Sequence, residues 1–374
     1  MALATPANVR HAPVPKKKVP RREEDACVTC LSMTSVAPSR HNEFMIPTLL
    51  TLVCTPLQPT LATDPVGTDA DDPAIWVDTR RPERSLIIGT DKTEFPGGGL
   101  QVHDLDGKML QRISPLNRPN NVDVETGLRT PDGPIDLAVT TERITGRLRV
   151  FRIDPQRRRL SEVTGNTLVL PNETREFREI MGITLHRRAN GRIFAIIAPK
   201  TGPTQGYLAM GELVFNSQTG KVDLEKVERF GRFSGKKEIE ALFVDEETNR
   251  LYASDETHGV WMYDLDRLTE PNGLFRTEGF EGDHEGIAAA GDLLFSTDQI
   301  EGGSKLWVYP RRGTDFSAPL AVLTTASDET DGIEAYGGNL GPKFPEGILV
   351  MMNSKDKNFL VYDLRTIRGA IERR

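Results

Sequence analysis

The sequence predicts an all-β protein folded as a six-bladed β-propeller, with about four antiparallel strands in each blade. From about Asp64 onward, short runs of alternating polar and apolar residues are separated by Gly, Asp, Asn and Pro, without a long amphipathic helix. The runs also recur in a fixed order at intervals of roughly 50 residues, a spacing typical of propeller blades. Six such units would occupy residues 63–374.

Three strand families account for each repeat, and we name them by their expected distance from the propeller axis. The innermost runs are DPAIWV from Asp72, NVDV from Asn121, MGITL from Met181, EALFV from Glu240, EGIAA from Glu285 and DGIEA from Asp331. The middle runs begin at Leu86, Leu137, Phe194, Leu251, Leu293 and Ile348. The third runs begin at Gly99, Gly146, Tyr207, Gly259, Lys305 and Asn358. Successive third runs lie 46 to 60 residues apart, measured at one shared apolar position.

The first 62 residues differ in composition from the propeller region that follows. They carry a net charge of +3, against −10 for residues 63–374. The stretch up to about Arg40 is rich in Pro, Arg and Lys and has no hydrophobic period, which predicts disorder. An apolar run from Ile46 to Leu57, followed by Thr60-Leu61-Ala62, is typical of a signal peptide at about residues 45–62.

This reading of the N-terminus predicts a secreted or periplasmic protein, and Met45 offers an internal start. A disordered extension with an accidental apolar patch remains the alternative. In either case residues 1–62 lie outside the predicted propeller, so their deletion is expected to leave folding and activity unchanged.

Composition excludes several classes of function. All three cysteines precede residue 55, so the remainder of the chain has no thiol nucleophile, disulfide or cysteine metal ligand. The lone motif Cys27-Val28-Thr29-Cys30 has no partner pair and is interpreted as incidental. No zinc-ligand spacing, G-x-S-x-G elbow, Walker loop or dinucleotide fingerprint is present. The acidic balance and the absence of a long apolar stretch argue against nucleic acid and membrane partners, and we expect a monomer.

Aligned repeats predict which polar residues share one end of the central channel. The last position of the middle strand holds Lys92, Arg143 and Lys200 in three consecutive blades. Carboxylates occupy the preceding position of the middle strand and the start of the innermost strand in several blades, notably Asp72, Glu240, Glu256, Glu285 and Asp331. One side of this ring is therefore cationic and the other strongly acidic.

This charge pattern predicts a metal-dependent site for a phosphorylated small molecule. Carboxylates around one channel repel each other unless they are protonated or bound to metal, and hard oxygen donors favour Ca²⁺ or Mg²⁺. Lysine and arginine bind phosphate oxygens directly. For any single residue the alternative of a solvated strand-end position remains open.

Longer motifs add a resemblance to a known family. They are D-D-P-A-I-W-V at residues 71–77, N-N-V-D-V at 120–124, S-D-E-T-D-G-I at 327–333 and G-P-K-F-P-E-G-I at 341–348. With these motifs the chain resembles, from about Asp69 to its C-terminus, the β-propeller phytases. Those are secreted, calcium-dependent enzymes that remove phosphate from inositol hexakisphosphate.

The resemblance implies a site that binds several Ca²⁺ ions. The implied metal ligands are Asp71, Asp72, Glu240, Glu256, Asp283, Glu285 and Asp331. The implied phosphate-binding and catalytic cations are Lys92, Arg143 and Lys200, and Asn121 is a further substrate-binding residue. Glu240 or Glu256 is expected to position or deprotonate the attacking water. The chain departs from the family at Met181, where a tyrosine is usual, and at Met352-Asn353, where Gln-Asp is common.

The leading hypothesis is thus a calcium-dependent phosphomonoesterase acting on phytate or a similar polyphosphorylated compound. One alternative is a six-bladed calcium-dependent lactonase or esterase, which needs no trio of Lys and Arg. The other is a non-enzymatic propeller that binds a partner, which the two departures favour. As a surplus cation, each member of the trio should be removable without loss of folding stability.

Overall fold

Six four-stranded antiparallel sheets make up the structure, a computed structural model that describes residues 55–275, 278–313 and 316–373. The first strand of the chain is β1 (Leu61–Ala62). Blade 1 contains β2 (Ala70–Trp76), β3 (Leu86–Asp91), β4 (Gly98–His103) and β5 (Met109–Leu116). Blade 2 contains β6 (Pro119–Leu128), β7 (Ile135–Glu142), β8 (Arg147–Asp154) and β9 (Arg159–Glu162).

The next three blades repeat this order of strands. Blade 3 contains β10 (Ile180–Arg187), β11 (Ile193–Pro199), β12 (Gln205–Asn216) and β13 (Lys221–Arg232). Blade 4 contains β14 (Ile239–Asp245), β15 (Arg250–Asp255), β16 (Gly259–Asp264) and β17 (Gly273–Phe275). Blade 5 contains β18 (Asp283–Ala290), β19 (Leu293–Gln299), β20 (Lys305–Pro310) and β21 (Ala321–Thr324). Blade 6 contains β22 (Ile333–Tyr336), β23 (Ile348–Asn353), β24 (Asn358–Asp363) and β1.

This architecture confirms the predicted six-bladed β-propeller. The three predicted strand families correspond to the first, second and third strands of every blade. Among the described residues, each pair of neighbouring blades encloses its own buried apolar cluster, including the pair formed by blades 6 and 1. Because every sheet is covered on both faces, its strands are apolar on both faces, and burial of these faces stabilises the ring.

Blade 6 includes residues on the N-terminal side of the predicted domain boundary at residue 63. Its outermost strand is β1, which pairs Leu61 with Val361 and Ala62 with Leu360. Among the described residues β24 has β1 and β23 as its two neighbours in the sheet, so one edge of β24 would be unpaired without β1. Cleavage after Ala62 would remove this strand, and the signal peptide at about residues 45–62 remains a prediction.

The residues before β1 also contact the propeller. Leu57, the last residue of the predicted apolar run, forms an isolated parallel bridge with Thr325. Residues 46–54 of that run, the region predicted to be disordered and the Cys27–Cys30 motif lie outside the described residues. No helix within the described part of the chain is long and apolar enough to cross a membrane.

A single α-helix, α1 (Leu364–Glu372), follows the last strand in the described part of the chain. The Asp363 side chain caps it by accepting a hydrogen bond from the Arg365 amide. Leu364 and Ile367 are buried in the cluster between blades 5 and 6. The helix therefore packs against blades 5 and 6, and its Arg368 donates a hydrogen bond to Asp292 in the turn between β18 and β19.

Candidate active site

The candidate site lies at the end of the channel where the innermost strands begin and the middle strands end. Antiparallel pairing brings these two points together in each blade. Backbone hydrogen bonds link them at Lys92 to Asp69, at Lys200 to Glu179 and at Glu256 to Glu238, with N···O distances of 2.8, 2.8 and 3.0 Å.

A β-bulge marks this point in five blades. In blades 1 to 5, two residues of the innermost strand oppose one residue of the middle strand, so one extra residue is inserted. The inserted positions fall at residues 71–72, 120–121, 181–182, 240–241 and 285–286. A bulge redirects side chains locally and is common beside active sites. It therefore decides which of two consecutive residues faces the mouth of the channel.

One set of polar side chains joins four blades across the mouth. The Lys92 ammonium donates to Asp71 Oδ1 at 2.7 Å and to Asp331 Oδ2 at 2.5 Å. The Asn120 amide donates to Asp71 Oδ2 at 3.3 Å and to Glu240 Oε1 at 2.6 Å. We call these five residues the Lys92 network. It brings together three predicted metal ligands and one predicted phosphate-binding cation.

Next to this network are two groups of three carboxylates. The first triad consists of Glu238, Glu240 and Glu256, and the second triad of Glu256, Asp283 and Glu285. Within each triad, one oxygen from each residue lies within 4.8 Å of the others, close enough to share a metal ion. Glu256 belongs to both triads, so the two groups form one continuous acidic surface.

Burial changes the protonation of these carboxylates. Desolvation raises the pKa of Glu240 to about 7, opposed by the charge of Lys92 and assisted by that of Asp331. Desolvation likewise raises the pKa of Glu256 to about 7. The pKa of Asp71 and that of Glu285 are raised well above the usual range for the same reason. Such groups favour either a proton or a compensating cation.

Unsatisfied oxygens show that the residues fit a metal ion. Glu256 Oε1, Glu285 Oε2 and Asn120 Oδ1 are buried and have no hydrogen-bond partner among the described residues. A buried acceptor without a partner costs free energy, and a cation bound there would satisfy it. Carboxylate and amide oxygens are the hard donors that Ca²⁺ prefers.

The three predicted phosphate-binding cations are all paired, which corrects the expectation that they are surplus charges. Lys92 belongs to the Lys92 network, Lys200 donates to Glu238, and Arg143 Nε lies 3.2 Å from Glu179 Oε2. The acidic partners are close because each cation follows a middle strand whose end meets the start of an innermost strand. Among the described contacts, none joins Arg143 to Lys92 or Lys200.

Two predicted site residues point deeper into the channel. Asp72 Oδ2 accepts a hydrogen bond from the Val122 amide at 2.9 Å. Asp72 and Asn121 line a central cavity of about 520 Å³ together with Asp123. Neither belongs to a triad, so the proposed metal role of Asp72 and substrate role of Asn121 remain predictions.

Several site residues were missed by sequence reasoning. They are Asn120, Glu179, Lys237, Glu238 and Gln299. Asn120 immediately precedes the predicted Asn121. Gln299 occupies the position at the end of its middle strand that Lys92 occupies in the first repeat. The charged run K-K-E-I-E at residues 236–240 was a usable signal for Lys237 and Glu238, since it directly precedes an innermost strand.

The two departures from the family pattern are accommodated within the structure. Met181 is buried in β10, and its carbonyl accepts a hydrogen bond from Thr141 Oγ1 at 2.6 Å. Asn353 is buried at the end of β23. Its Oδ1 accepts a hydrogen bond from the Asp328 backbone amide at 3.1 Å, and its Nδ2 donates to Asn358 Oδ1 at 2.9 Å. Both residues therefore have clear packing or loop-holding roles.

The sequence also matches those of known proteins. The family model described as Phytase matches residues 31–360. The 3-phytase of Bacillus subtilis (strain 168) is 31% identical over 321 residues, a match covering 79% of this chain and 78% of the relative.

Proposed function

The chain belongs to the phytase family, and from this premise we propose that it removes phosphate from phytate or a similar polyphosphorylated small molecule in a calcium-dependent reaction. The family makes it a phosphoric monoester hydrolase. The observation that carries the proposal is the arrangement of two carboxylate triads beside the Lys92 network. This combination offers metal ligands and phosphate-binding cations at one mouth.

The carboxylates would hold the metal and the cations would orient the substrate. The two triads and Asp331 supply the ligands, and bound Ca²⁺ would neutralise phosphoryl oxygens and activate a water molecule. Lys200 and Arg143 can exchange their carboxylate partners for phosphate oxygens, since Lys200 and Glu238 are both partly exposed to solvent. Lys92 is held between Asp71 and Asp331, which fixes its ammonium at the acidic side.

Two carboxylates are candidates for accepting the proton of the attacking water. Glu240 and Glu256 each have a pKa raised to about 7, so each exchanges a proton readily near neutral pH. Glu240 is oriented by Asn120, whereas Glu256 Oε1 has no hydrogen-bond partner among the described residues. The proposed reaction is an in-line attack of water on phosphorus without a covalent phosphoenzyme.

The decisive experiment measures phosphate release from phytate by chelator-stripped protein, with and without added Ca²⁺. Calcium-dependent release supports the proposal, and Glu240→Gln should abolish most of it. Turnover of a lactone without phosphate release would instead support the lactonase alternative. Inertness toward both substrates would support a binding propeller.

We further propose that the protein is secreted or periplasmic and acts as a monomer. The apolar run at residues 46–57 supports export. A cleavage position compatible with the propeller must precede β1. Fractionation of the expressing cells and N-terminal sequencing of the mature chain test this proposal directly.

A further inference from the structure

The second triad already carries an ammonium group supplied by the protein. Lys237 Nζ lies 2.8 Å from Glu256 Oε2 and 2.5 Å from Asp283 Oδ2. It therefore contacts two of the three carboxylates that define the triad. Lys237 comes from the segment just before β14, and its side chain is 46% exposed.

The local charges give this ammonium a specific effect. The Lys237 ammonium lies between Glu256 Oε2 and Asp283 Oδ2, so one protein cation is paired with two of the three carboxylates of the second triad. A divalent ion bound by the second triad would lie within a few ångströms of that charge. Like charges at such separations repel appreciably even with solvent screening.

The same contacts make Lys237 movable. Its partner Asp283 is partly exposed, and the ammonium reaches the triad from the solvent side on a flexible four-carbon chain. Glu285, the third member, makes no ion pair with Lys237, and its Oε2 has no partner among the described residues. The triad therefore keeps unsatisfied oxygen capacity that an ammonium on Glu256 and Asp283 does not use.

We propose that Lys237 is a tethered counter-cation that competes with a divalent metal ion for the second triad and thereby sets its metal affinity. The proposal rests on the proposed function, because it assumes that the triads bind metal. In metal-poor conditions Lys237 neutralises the carboxylates, and in metal-rich conditions it is displaced toward solvent. The site then responds to calcium concentration rather than remaining permanently loaded.

Lys236 provides a matched control for the test. It carries the same charge one position earlier, but its Nζ donates to the Thr257 carbonyl at 3.2 Å and contacts neither triad. Lys237→Met removes the charge with little change of side-chain length, Lys237→Arg keeps the charge, and Lys236→Met removes a charge outside the triads.

The experiment titrates Ca²⁺ into the chelator-stripped full-length chain and measures binding by calorimetry and by the rise in Tm. We expect Lys237→Met to lower the apparent Kd by roughly tenfold, because a unit charge beside a divalent ion is removed. Lys236→Met should change the Kd by less than about threefold, since its charge is exposed and screened. Lys237→Arg should stay near the wild type.

Three outcomes would overturn the inference. Lys237→Met and Lys236→Met could bind calcium with equal affinity, Lys237→Met could bind calcium more weakly than the wild type, or none of the four proteins could bind calcium. Phytate hydrolysis is scored separately on the same proteins. If Lys237→Met binds calcium more tightly but no protein releases phosphate, the counter-cation stands and the proposed function fails. If release depends on calcium while affinity is unchanged, only the counter-cation fails.

Discussion

At the scale of single residues, the protonation of Glu240 and Glu256 links stability to pH. Their pKa values are raised to about 7 in the folded protein, against about 4.3 in an unfolded chain. Between these values the folded state binds more protons than the unfolded state. The free energy of unfolding of metal-free protein should therefore fall as pH rises from about 5 to about 8.

Denaturant titrations of chelator-stripped protein at several pH values measure this slope. Glu240→Gln and Glu256→Gln should each make it shallower, because each removes one group that protonates on folding. With saturating Ca²⁺ the trend should reverse, since metal ligands must be deprotonated. An identical slope in wild type and both glutamine variants would contradict the assignment.

Lys92 should differ from Arg143 in its effect on stability. The Lys92 side chain is 21% exposed and holds the fully buried Asp71, whereas Arg143 pairs with Glu179, which is 30% exposed. In metal-free protein near pH 8, Lys92→Met should lower the free energy of unfolding by about 3 kcal/mol. Arg143→Met should lower it by less than about 1 kcal/mol.

Both variants should nevertheless lose activity. Loss of a hydrogen bond to a charged group corresponds to about 1.5–3 kcal/mol, or roughly 10- to 150-fold in kcat/KM for phosphate release. A Lys92→Met protein as stable as wild type without metal would mean that its ion pairs contribute nothing. If Arg143→Met kept the wild-type kcat/KM, Arg143 would not contribute to substrate binding or catalysis.

The residues found from sequence share one property. Lys92, Glu240, Glu285 and Asp331 occupy repeated positions, so the alignment of repeats alone brings them together. Lys237 lies in a connecting segment whose path differs between blades. Repetition carries no information about such segments, and only the folded chain shows which carboxylates they reach.

At the scale of elements, the bulges explain why the alignment of repeats did not identify every residue of the candidate site. An alignment assigns one residue to each position, whereas the bulges place two innermost-strand residues opposite one middle-strand residue. Asp71 and Asn120 consequently belong to the Lys92 network, while Asp72 and Asn121 line the cavity. Strand order and alternation were predictable from hydrophobic pattern, but this choice depends on backbone geometry.

Close packing of innermost strands gives an element-scale prediction at Gly182. A Cβ atom there would lie 2.1 Å from the Glu240 carbonyl oxygen, so β10 and β14 approach each other too closely for any side chain. Gly182→Ala must displace backbone and should lower the free energy of unfolding by about 1–3 kcal/mol. Because Glu240 moves with its strand, calcium affinity should fall as well.

Thermal unfolding and calcium titration of Gly182→Ala test both parts. Loss of stability with unchanged calcium affinity would show that the glycine serves packing alone. Unchanged stability would mean that the two strands separate easily, against the observed contact.

At the scale of the whole molecule, ring closure was the feature that the repeat could not resolve. The recurring strands predicted six blades, and the apolar clusters between every neighbouring pair confirm a closed ring. Either terminus was a possible source of the last strand. Two residues are too short for a recognisable pattern, so β1 could not be distinguished from the signal-like segment before it.

Closure by β1 leads to a prediction that separates two truncations. The segment is held by backbone hydrogen bonds from Thr60 to Val361 and from Thr63 to Phe359, at 2.7 and 2.9 Å, and by a bond from the Phe359 amide to Thr63 Oγ1. A chain beginning at residue 55 retains all of these contacts. A chain beginning at residue 64 loses them and exposes the edge of β24.

The chain beginning at residue 55 should therefore unfold at the same Tm as the full-length protein and release phosphate equally well. The chain beginning at residue 64 should lose about 1 kcal/mol for each hydrogen bond, lowering Tm by roughly 5–10 °C. Its exposed strand edge should also promote association, visible as dimers or larger species by light scattering. If the shorter chain matched the longer one in Tm and remained monomeric, β1 would be dispensable and blade 6 would be stable with three strands. Because innermost strands of several blades position the candidate site, phosphate release should also fall when ring closure is lost, even though no site residue is removed.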